Sequence, residues 1–340
     1  MATDLGVTSF EDMPDNLKTP EMCLEVVKKR GLALRHVPEA LKTEELCLEA
    51  VQRSGSALEY VPESLKTESL CLTALKQFGY ALKFVPEVLK TETFYLKALQ
   101  QDGNFLRYIP EELKSETFCL AAVQKSSRAF VLVPEAMKTE AVCLAAVLED
   151  GYAIEYVPEV MKTEALCLEA VQQIGSALKY VPEQLRTEKV CLAAVQEDNY
   201  ALKYVPEAMK TETVCLAAVN KNGLALKYVP EPIKSEAVSL AAVQENGFAL
   251  KYVPDAMKTE ALCLAAVQNK KSEPEIGAKF SYHIRQQISS VLEYVPQAMK
   301  TEAICLEAVQ QNGYAIKHVP FKLKSIINKQ VTEKDNEHEI

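Results

Sequence analysis

Along most of the chain the apolar residues fall into two blocks that alternate with a fixed period. In residues 206–229, PEAMKTETVCLAAVNKNGLALKYV, the first block is Val214, Cys215, Leu216, Ala218 and Val219. At 100° per residue these positions cover roughly 200° of a helix, far wider than the stripe of a one-sided amphipathic helix. Such a helix has to be buried on both flanks, and stacking between the preceding and following copies of the same unit supplies that burial. The second block, Ala225 to Lys234, has apolar residues at spacings of three and four and reads as a shorter helix. Pro230 interrupts it, and Val229 before the proline is pushed away from helical angles, so one short turn is expected on each side. No window shows sustained strand alternation, and no sheet is expected.

The period is 24 residues. Prolines stand at Pro14, Pro38, Pro62, Pro86, Pro110, Pro134, Pro158, Pro182, Pro206, Pro230 and Pro254, and the spacing resumes at Pro296 and Pro320 after one gap of 42, a repeat plus 18 inserted residues. A strict period of this length is the signature of a solenoid. The fold class expected is all-α: an α-solenoid, or superhelical array, of about thirteen 24-residue units, each a longer helix plus a short or Pro-broken one. Thr43, Thr67, Thr91, Thr139, Thr163, Thr187, Thr211, Thr259, Thr301, Ser115 and Ser235 precede a Glu and an apolar run, as N-caps do, and at Thr19 the first helical residue is Pro20. About eleven residues later stand Gly31, Gly55, Gly79, Gly103, Gly151, Gly175, Gly223, Gly247 and Gly313, where a left-handed C′ glycine is expected to close the helix; Asn199 takes that place once.

The CLAAVNKNGLALKYVPEAMK pattern is similar to a family of short bacterial and protist helical repeats of unknown function, whose units read roughly LAAVKQNGYALQYASEELK. The likeness runs over helix, Asn-Gly turn and Ala-Leu-x-Tyr element, with Val-Pro here in place of Ala-Ser. It implies a helical fold and a scaffold role, and no activity.

Composition narrows the function classes. Hydrophobic residues make up 48% and charged residues 25%, as in a folded protein rather than a disordered one. A net charge of −9 with interspersed signs argues against a general nucleic-acid or anionic-membrane surface. Met1–Phe10 lacks a basic stretch followed by an apolar run, and no stretch reaches the roughly 20 apolar residues of a membrane span, so a cytoplasmic protein without a membrane segment is expected. The expected organisation is a repeat array over 1–268, an insertion at a repeat turn over 269–290, final repeats over 291–324 and a polar, frayed tail over 325–340.

Ten cysteines, Cys23, Cys47, Cys71, Cys119, Cys143, Cys167, Cys191, Cys215, Cys263 and Cys305, share one position of the unit, with Tyr95 and Ser239 at two others. Equivalent positions on stacked helices lie about 8–10 Å apart, too far for disulfides or a shared metal, so a column of reduced core thiols is expected. Lys18, Lys42, Lys66, Lys90, Lys114, Lys138, Lys162, Arg186, Lys210, Lys234, Lys258, Lys300 and Lys324 form a basic ladder. A row of cations can follow a phosphate backbone, but glutamates three before and two after most of them, such as Glu207 and Glu212 around Lys210, favour a solvated, salt-bridged edge. His36, Tyr60, Phe84, Tyr108, Tyr156, Tyr180, Tyr204, Tyr228, Tyr252, Tyr294 and His318 form an aromatic column, expected to pack between repeats with polar tips outward. No nucleophile motif, phosphate loop or metal spacing accompanies the four histidines, so no catalytic residue, cofactor or metal is assigned.

Positions beside the glycine vary most between units and share the turn edge, where Phe78, Tyr80, Tyr152, Tyr200, Phe248 and Tyr314 are aromatic. With Phe280, Tyr282 and His283 of the insertion, whose second half reads as a short helix, these residues are the candidate binding set. The expected function is a non-enzymatic, monomeric scaffold that binds a protein partner along an extended surface. The alternative is a modular nucleic-acid or extended-ligand reader.

Overall fold

The computed structural model describes residues 9–269 and 290–337. They form an all-helical array of 24-residue repeats in two compact units, Met1–Met161 and Lys162–Ile340. Unit 1 contains α1 (Pro20–Lys29), α2 (Glu44–Arg53), α3 (Glu68–Gln77), α4 (Glu92–Gln101), α5 (Glu116–Lys125) and α6 (Glu140–Glu149). Unit 2 contains α7 (Glu164–Gln173), α8 (Glu188–Glu197), α9 (Glu212–Lys221), α10 (Glu236–Glu245), α11 (Glu260–Gln268), α12 (Glu302–Gln311) and α13 (Phe321–Glu337).

Each repeat is built as its residues dictate. The N-cap hydroxyl accepts the amide of the third helical residue, at 3.2 Å for Thr43 and Leu46 and 3.3 Å for Thr211 and Val214, a contact whose loss costs about 1 kcal/mol. The same hydroxyl donates to the first glutamate of the preceding helix: Thr187 to Glu164 at 2.9 Å, Thr211 to Glu188 at 2.9 Å, Ser235 to Glu212 at 3.0 Å. One oxygen thus starts its own helix and ties it to its neighbour. The helix ends on a residue in extended conformation, for example Asn222 at φ −156°. A six-residue 3-10 segment follows, Gly223–Tyr228 in this repeat, then Val229 at ψ 129° and Pro230 at ψ 145°, then a three-residue 3-10 turn, Glu231–Ile233. The proline therefore breaks the second element into one short turn on each side, as expected. Because a 3-10 helix repeats every three residues, Gly223, Leu226 and Val229 fall on one line and are all buried.

The glycines work differently from the expectation. Gly31, Gly55, Gly103, Gly175 and Gly223 all lie outside the left-handed region, and each opens the 3-10 segment instead of closing the α-helix. What they provide is closeness. A Cβ on Gly31, Gly55, Gly103, Gly175 or Gly223 would stand 2.1–2.4 Å from the carbonyl oxygen of Ala50, Ala74, Ala122, Ala194 or Ala242, in the helix of the next repeat. These alanines are fully buried, so a backbone lies against a backbone with only a methyl group beside it.

The core follows the two apolar blocks. Nearly every inward residue, including all ten cysteines, is fully or almost fully buried, and none of the ten thiols is joined in a disulfide among the described residues. Burial pushes Cys47, Cys71, Cys119, Cys143, Cys191, Cys215 and Cys263 up to about 11 against the opposing pull of a nearby Lys or Arg. In the tenth repeat Ser239 stands in the thiol column, fully buried, and its hydroxyl finds no partner.

The array keeps register across the inserted residues. Lys258 reaches the carbonyl of Tyr294 at 3.3 Å, 36 residues on, where its counterparts Lys42 and Lys234 reach one 18 residues on. Phe280, Tyr282 and His283 lie outside the described residues. At the far end, α13 occupies most of the stretch expected to fray. Its apolar residues Leu323, Ile326, Ile327 and Val331 recur at helical spacing, and the fully buried Ile327 lies in the part of α13 that packs on α12.

Two outcomes follow. Gly223→Ala is expected to lower the unfolding free energy by about 1–3 kcal/mol, the usual cost of overpacking, while Gly313→Ala, where an added Cβ meets nothing within 4 Å, stays within about 0.5 kcal/mol of wild type; urea titrations compare them. The second concerns pH. The folded thiols titrate near 11, above the ordinary 9.0 to which unfolding returns them, so the stability they contribute is fully present below pH 9 and lost as pH rises towards 11. A Cys191→Ala, Cys215→Ala, Cys263→Ala variant should lose stability less steeply over that window in chemical denaturation, and native wild-type thiols should resist an aromatic disulfide reagent at pH 8.

Candidate functional site

The basic ladder turns inward. Side chains of Lys18, Lys42, Lys66, Lys90, Lys114, Lys138, Lys210, Lys234 and Lys258 are only 4–16% exposed, so of the solvated, salt-bridged edge expected from the sequence the ion pairs are found and the solvation of the cations is not. The reason lies at the end of the six-residue 3-10 segment, where the proline supplies no amide and a carbonyl is left over. Lys42 donates to Tyr60 O at 2.9 Å, Lys138 to Tyr156 O at 3.0 Å, Lys234 to Tyr252 O at 2.9 Å and Lys300 to His318 O at 3.0 Å. The ammonium groups of Lys42, Lys138 and Lys234 also pair with the acid three residues before them, as Lys234 does with Glu231 at 2.7 Å, whereas Lys300 has Gln297 at that place. Arg186 uses its fork instead on the carbonyls of Val181, Tyr204 and Lys179. Most of the ladder is thus a row of clasps on backbone carbonyls, and Lys66, Lys90, Lys114 and Lys210 are held by their ion pairs.

The turn edge is where side chains remain available, though less of it than the sequence indicates. The residue before the glycine closes a helix, and where it is Asp or Asn its oxygen accepts the amide two residues on: Asp102, Asp150 and Asp198 at 2.9 Å, Asn222, Asn246 and Asn312 at 3.0 Å. That position is constrained by capping. The residue after the glycine is not tied to capping and differs most in character, from Leu32 and Ser56 to Tyr80 and Arg128.

In unit 1, Tyr80 is 63% exposed and Phe78 and Tyr152 are each 38% exposed. The Tyr80 ring packs against Phe78, with centroids 5.7 Å apart, and edge-on against Tyr108 of the aromatic column at 4.8 Å. Phe105 lies 5.8 Å from Tyr108 on its inner side. In unit 2, Tyr200 is 49% exposed, and Phe248 and Tyr314 are half-buried. Phe248 meets the column residue Tyr294 edge-on at 6.4 Å. Turn-edge aromatics and column aromatics, read separately along the chain, thus form a single face in each unit.

Sequence reading missed the cations on this face. Lys83 lies 4.5 Å from the Phe84 ring centroid, Lys179 4.3 Å from Tyr180, Lys203 4.6 Å from Tyr204, Lys227 4.5 Å from Tyr228 and Lys251 5.8 Å from Tyr252. At these distances the ammonium is attracted by the ring face. In unit 1 the corresponding cations are Lys83 and Arg107, and Arg128 stands at the position that capping does not fix. Arg107 and Arg128 line an open groove of about 530 Å³ with Asn104 and Tyr108, and Arg107 also lines its neighbour of about 360 Å³ beside Tyr80. The signal was present, a basic residue just before the column aromatic in four consecutive units of unit 2. The more regular ladder drew attention away from it.

Other chemistry is sparse on the described residues. They hold no group of three or more His, Cys, Asp or Glu side chains able to bind a metal ion, and no helix among them is long and apolar enough to cross a membrane. Burial and the cation Lys317 lower His318 below the ordinary imidazole value.

A model of the family described as Domain of unknown function (DUF4116) matches residues 19–66, 43–90, 67–114, 91–138, 139–186 and 187–234. Each match is 48 residues long, two of the 24-residue units, so the family's own element is a pair of repeats. No curated protein and no solved structure matches the chain. With matches running from residue 19 to residue 234 of 340 over repeats that carry the same caps, glycines and clasps, the chain belongs to the DUF4116 family.

Proposed function

We propose that the protein is a non-enzymatic scaffold that holds one extended protein partner along the face made by its turn-edge and column aromatics. The observation that carries this reading is the pairing of Tyr80 with Tyr108 at 4.8 Å and of Phe248 with Tyr294 at 6.4 Å. At the position after the glycine, which capping does not fix, a large ring is laid against a ring of the column, and Tyr80 and Tyr200 stay exposed. Exposed aromatics of this kind are what binding hot spots are made of. Repetition sets them in line, so contacts too weak to hold a partner singly add along one chain. The nucleic-acid alternative loses the ladder that suggested it, because those ammonium groups are clasped on carbonyls or held in ion pairs.

A variant carrying Tyr80→Ser, Tyr200→Ser and Phe248→Ser tests the reading. Capture of the partner is expected to fall by at least about tenfold, with circular dichroism and melting temperature close to wild type. Unchanged capture would place the site elsewhere, and lost helicity would mean that these rings are core.

A further inference from the structure

The face in unit 2 carries a feature that packing does not require. Lys203, Lys227 and Lys251 form no ion pair among the described residues, although each ladder cation nearby does or is clasped on carbonyls. They sit on rings instead. Besides its own column tyrosine, Lys227 lies 5.8 Å from the centroid of Tyr200, and Lys251 lies 5.7 Å from that of Tyr294. Each of the three ammonium groups thus lies on the ring of its own column tyrosine, Tyr204, Tyr228 or Tyr252, and two of them also lie near a second ring, Tyr200 or Tyr294. The Tyr204 and Tyr228 side chains hold Lys203 and Lys227 above the ordinary ammonium value, so both stay charged. Asp198, whose charge also reaches Lys203, has its carboxylate turned onto the Tyr200 amide at 2.9 Å.

The spacing of this strip selects a ligand. Packed helices stand about 8–10 Å apart, so one lysine and one tyrosine recur at about that interval. A polyproline II strand has three residues per turn and rises 3.1 Å per residue, so every third side chain returns to one face after about 9 Å. A nucleic-acid strand bears a charge at every nucleotide, and one cation per repeat leaves most phosphates unneutralised. Aromatic-lined surfaces also suit the flat, preformed polyproline II strand.

We propose that Lys203, Lys227 and Lys251 with Tyr204, Tyr228 and Tyr252 bind an acidic segment of another protein in polyproline II conformation, a carboxylate at every third residue meeting a lysine and the residues between lying on the rings. This rests on the scaffold reading and adds the chemistry of the partner.

The probe is a fluorescein-labelled peptide of five Glu-Pro-Pro triplets, titrated with the full chain in fluorescence anisotropy. Comparison probes are five Gln-Pro-Pro triplets, a peptide of the same composition with its glutamates in one block, and an oligouridylate of equal length. The in-register acidic peptide is expected to bind at least about tenfold more tightly than the neutral and block peptides, and to weaken with salt. A Lys203→Gln, Lys227→Gln, Lys251→Gln variant with unchanged circular dichroism should lose at least about tenfold in affinity for it. Absence of binding to the acidic peptide, equal binding of the neutral peptide, or an unaffected lysine variant overturns the proposal; tighter binding of the oligouridylate turns it to nucleic acid. If the neutral peptide binds equally and Tyr200→Ser with Phe248→Ser abolishes that binding, the acidic-partner inference fails while the scaffold reading stands.

Discussion

The packing of one repeat on the next turns on a close approach seen at Gly31, Gly55, Gly103, Gly175 and Gly223, a glycine backbone resting against the carbonyl of a buried alanine in the next helix, while Gly79 lies against the Tyr108 ring instead. It sets the distance between neighbouring copies, and that distance decides what else fits. At such separation a small thiol fills the column in ten repeats, the N-cap hydroxyl reaches the glutamate of the preceding helix, and the short 3-10 segment lies flat enough for Leu226 to be fully covered. Apart from the repeat whose turn carries the insertion, two repeats do without the glycine, with Ser127 and Asn199 in its place. At Asn199 the cost is visible, because the side-chain nitrogen is buried without a partner.

A strict period made the architecture legible. Caps, proline breaks and the two-sided apolar pattern are local properties, and each was found where the residues placed it. The glycines were misread because a glycine just after an apolar helix has the same sequence appearance whether it turns the chain left-handed or lets another backbone come near. Only the position of Ala242 O beside Gly223 separates the two. The lysine ladder was misread for a related reason: nothing local to Lys234 shows that the Tyr252 carbonyl, left over by a proline, lies within its reach. In α13 the polar composition outweighed a helical spacing of apolar residues that was present to be counted. Of the candidate face, the rings were legible as variation at a position that capping does not fix. The lysines over them were not, because in sequence they differ from the clasping lysines only in register.

Within each repeat, constraint and freedom are therefore sorted by register. The cap, the alanine, the thiol position and the clasp answer to the neighbouring repeat, and so does the residue before the glycine when it is Asp or Asn. One position after the glycine and one before the column aromatic vary in character from repeat to repeat, and those at Tyr80, Phe248, Lys203 and Lys227 contact neighbouring rings. Their contents differ between units, with Arg107 and Arg128 around a groove in one and a run of lysines on tyrosines in the other. A common scaffold can in this way carry surfaces of different chemistry at no cost to its core.

The clasp also divides the protein's lysines into two populations. Those of the ladder are held by a carboxylate, a backbone carbonyl or both, and acylation of one would require the local turn to open first. Those on the tyrosine rings stand in water. An acetylating enzyme or an ester reagent acting on the folded protein would therefore write on the face and leave the clasps blank, changing the charge of the surface without loosening the array beneath it.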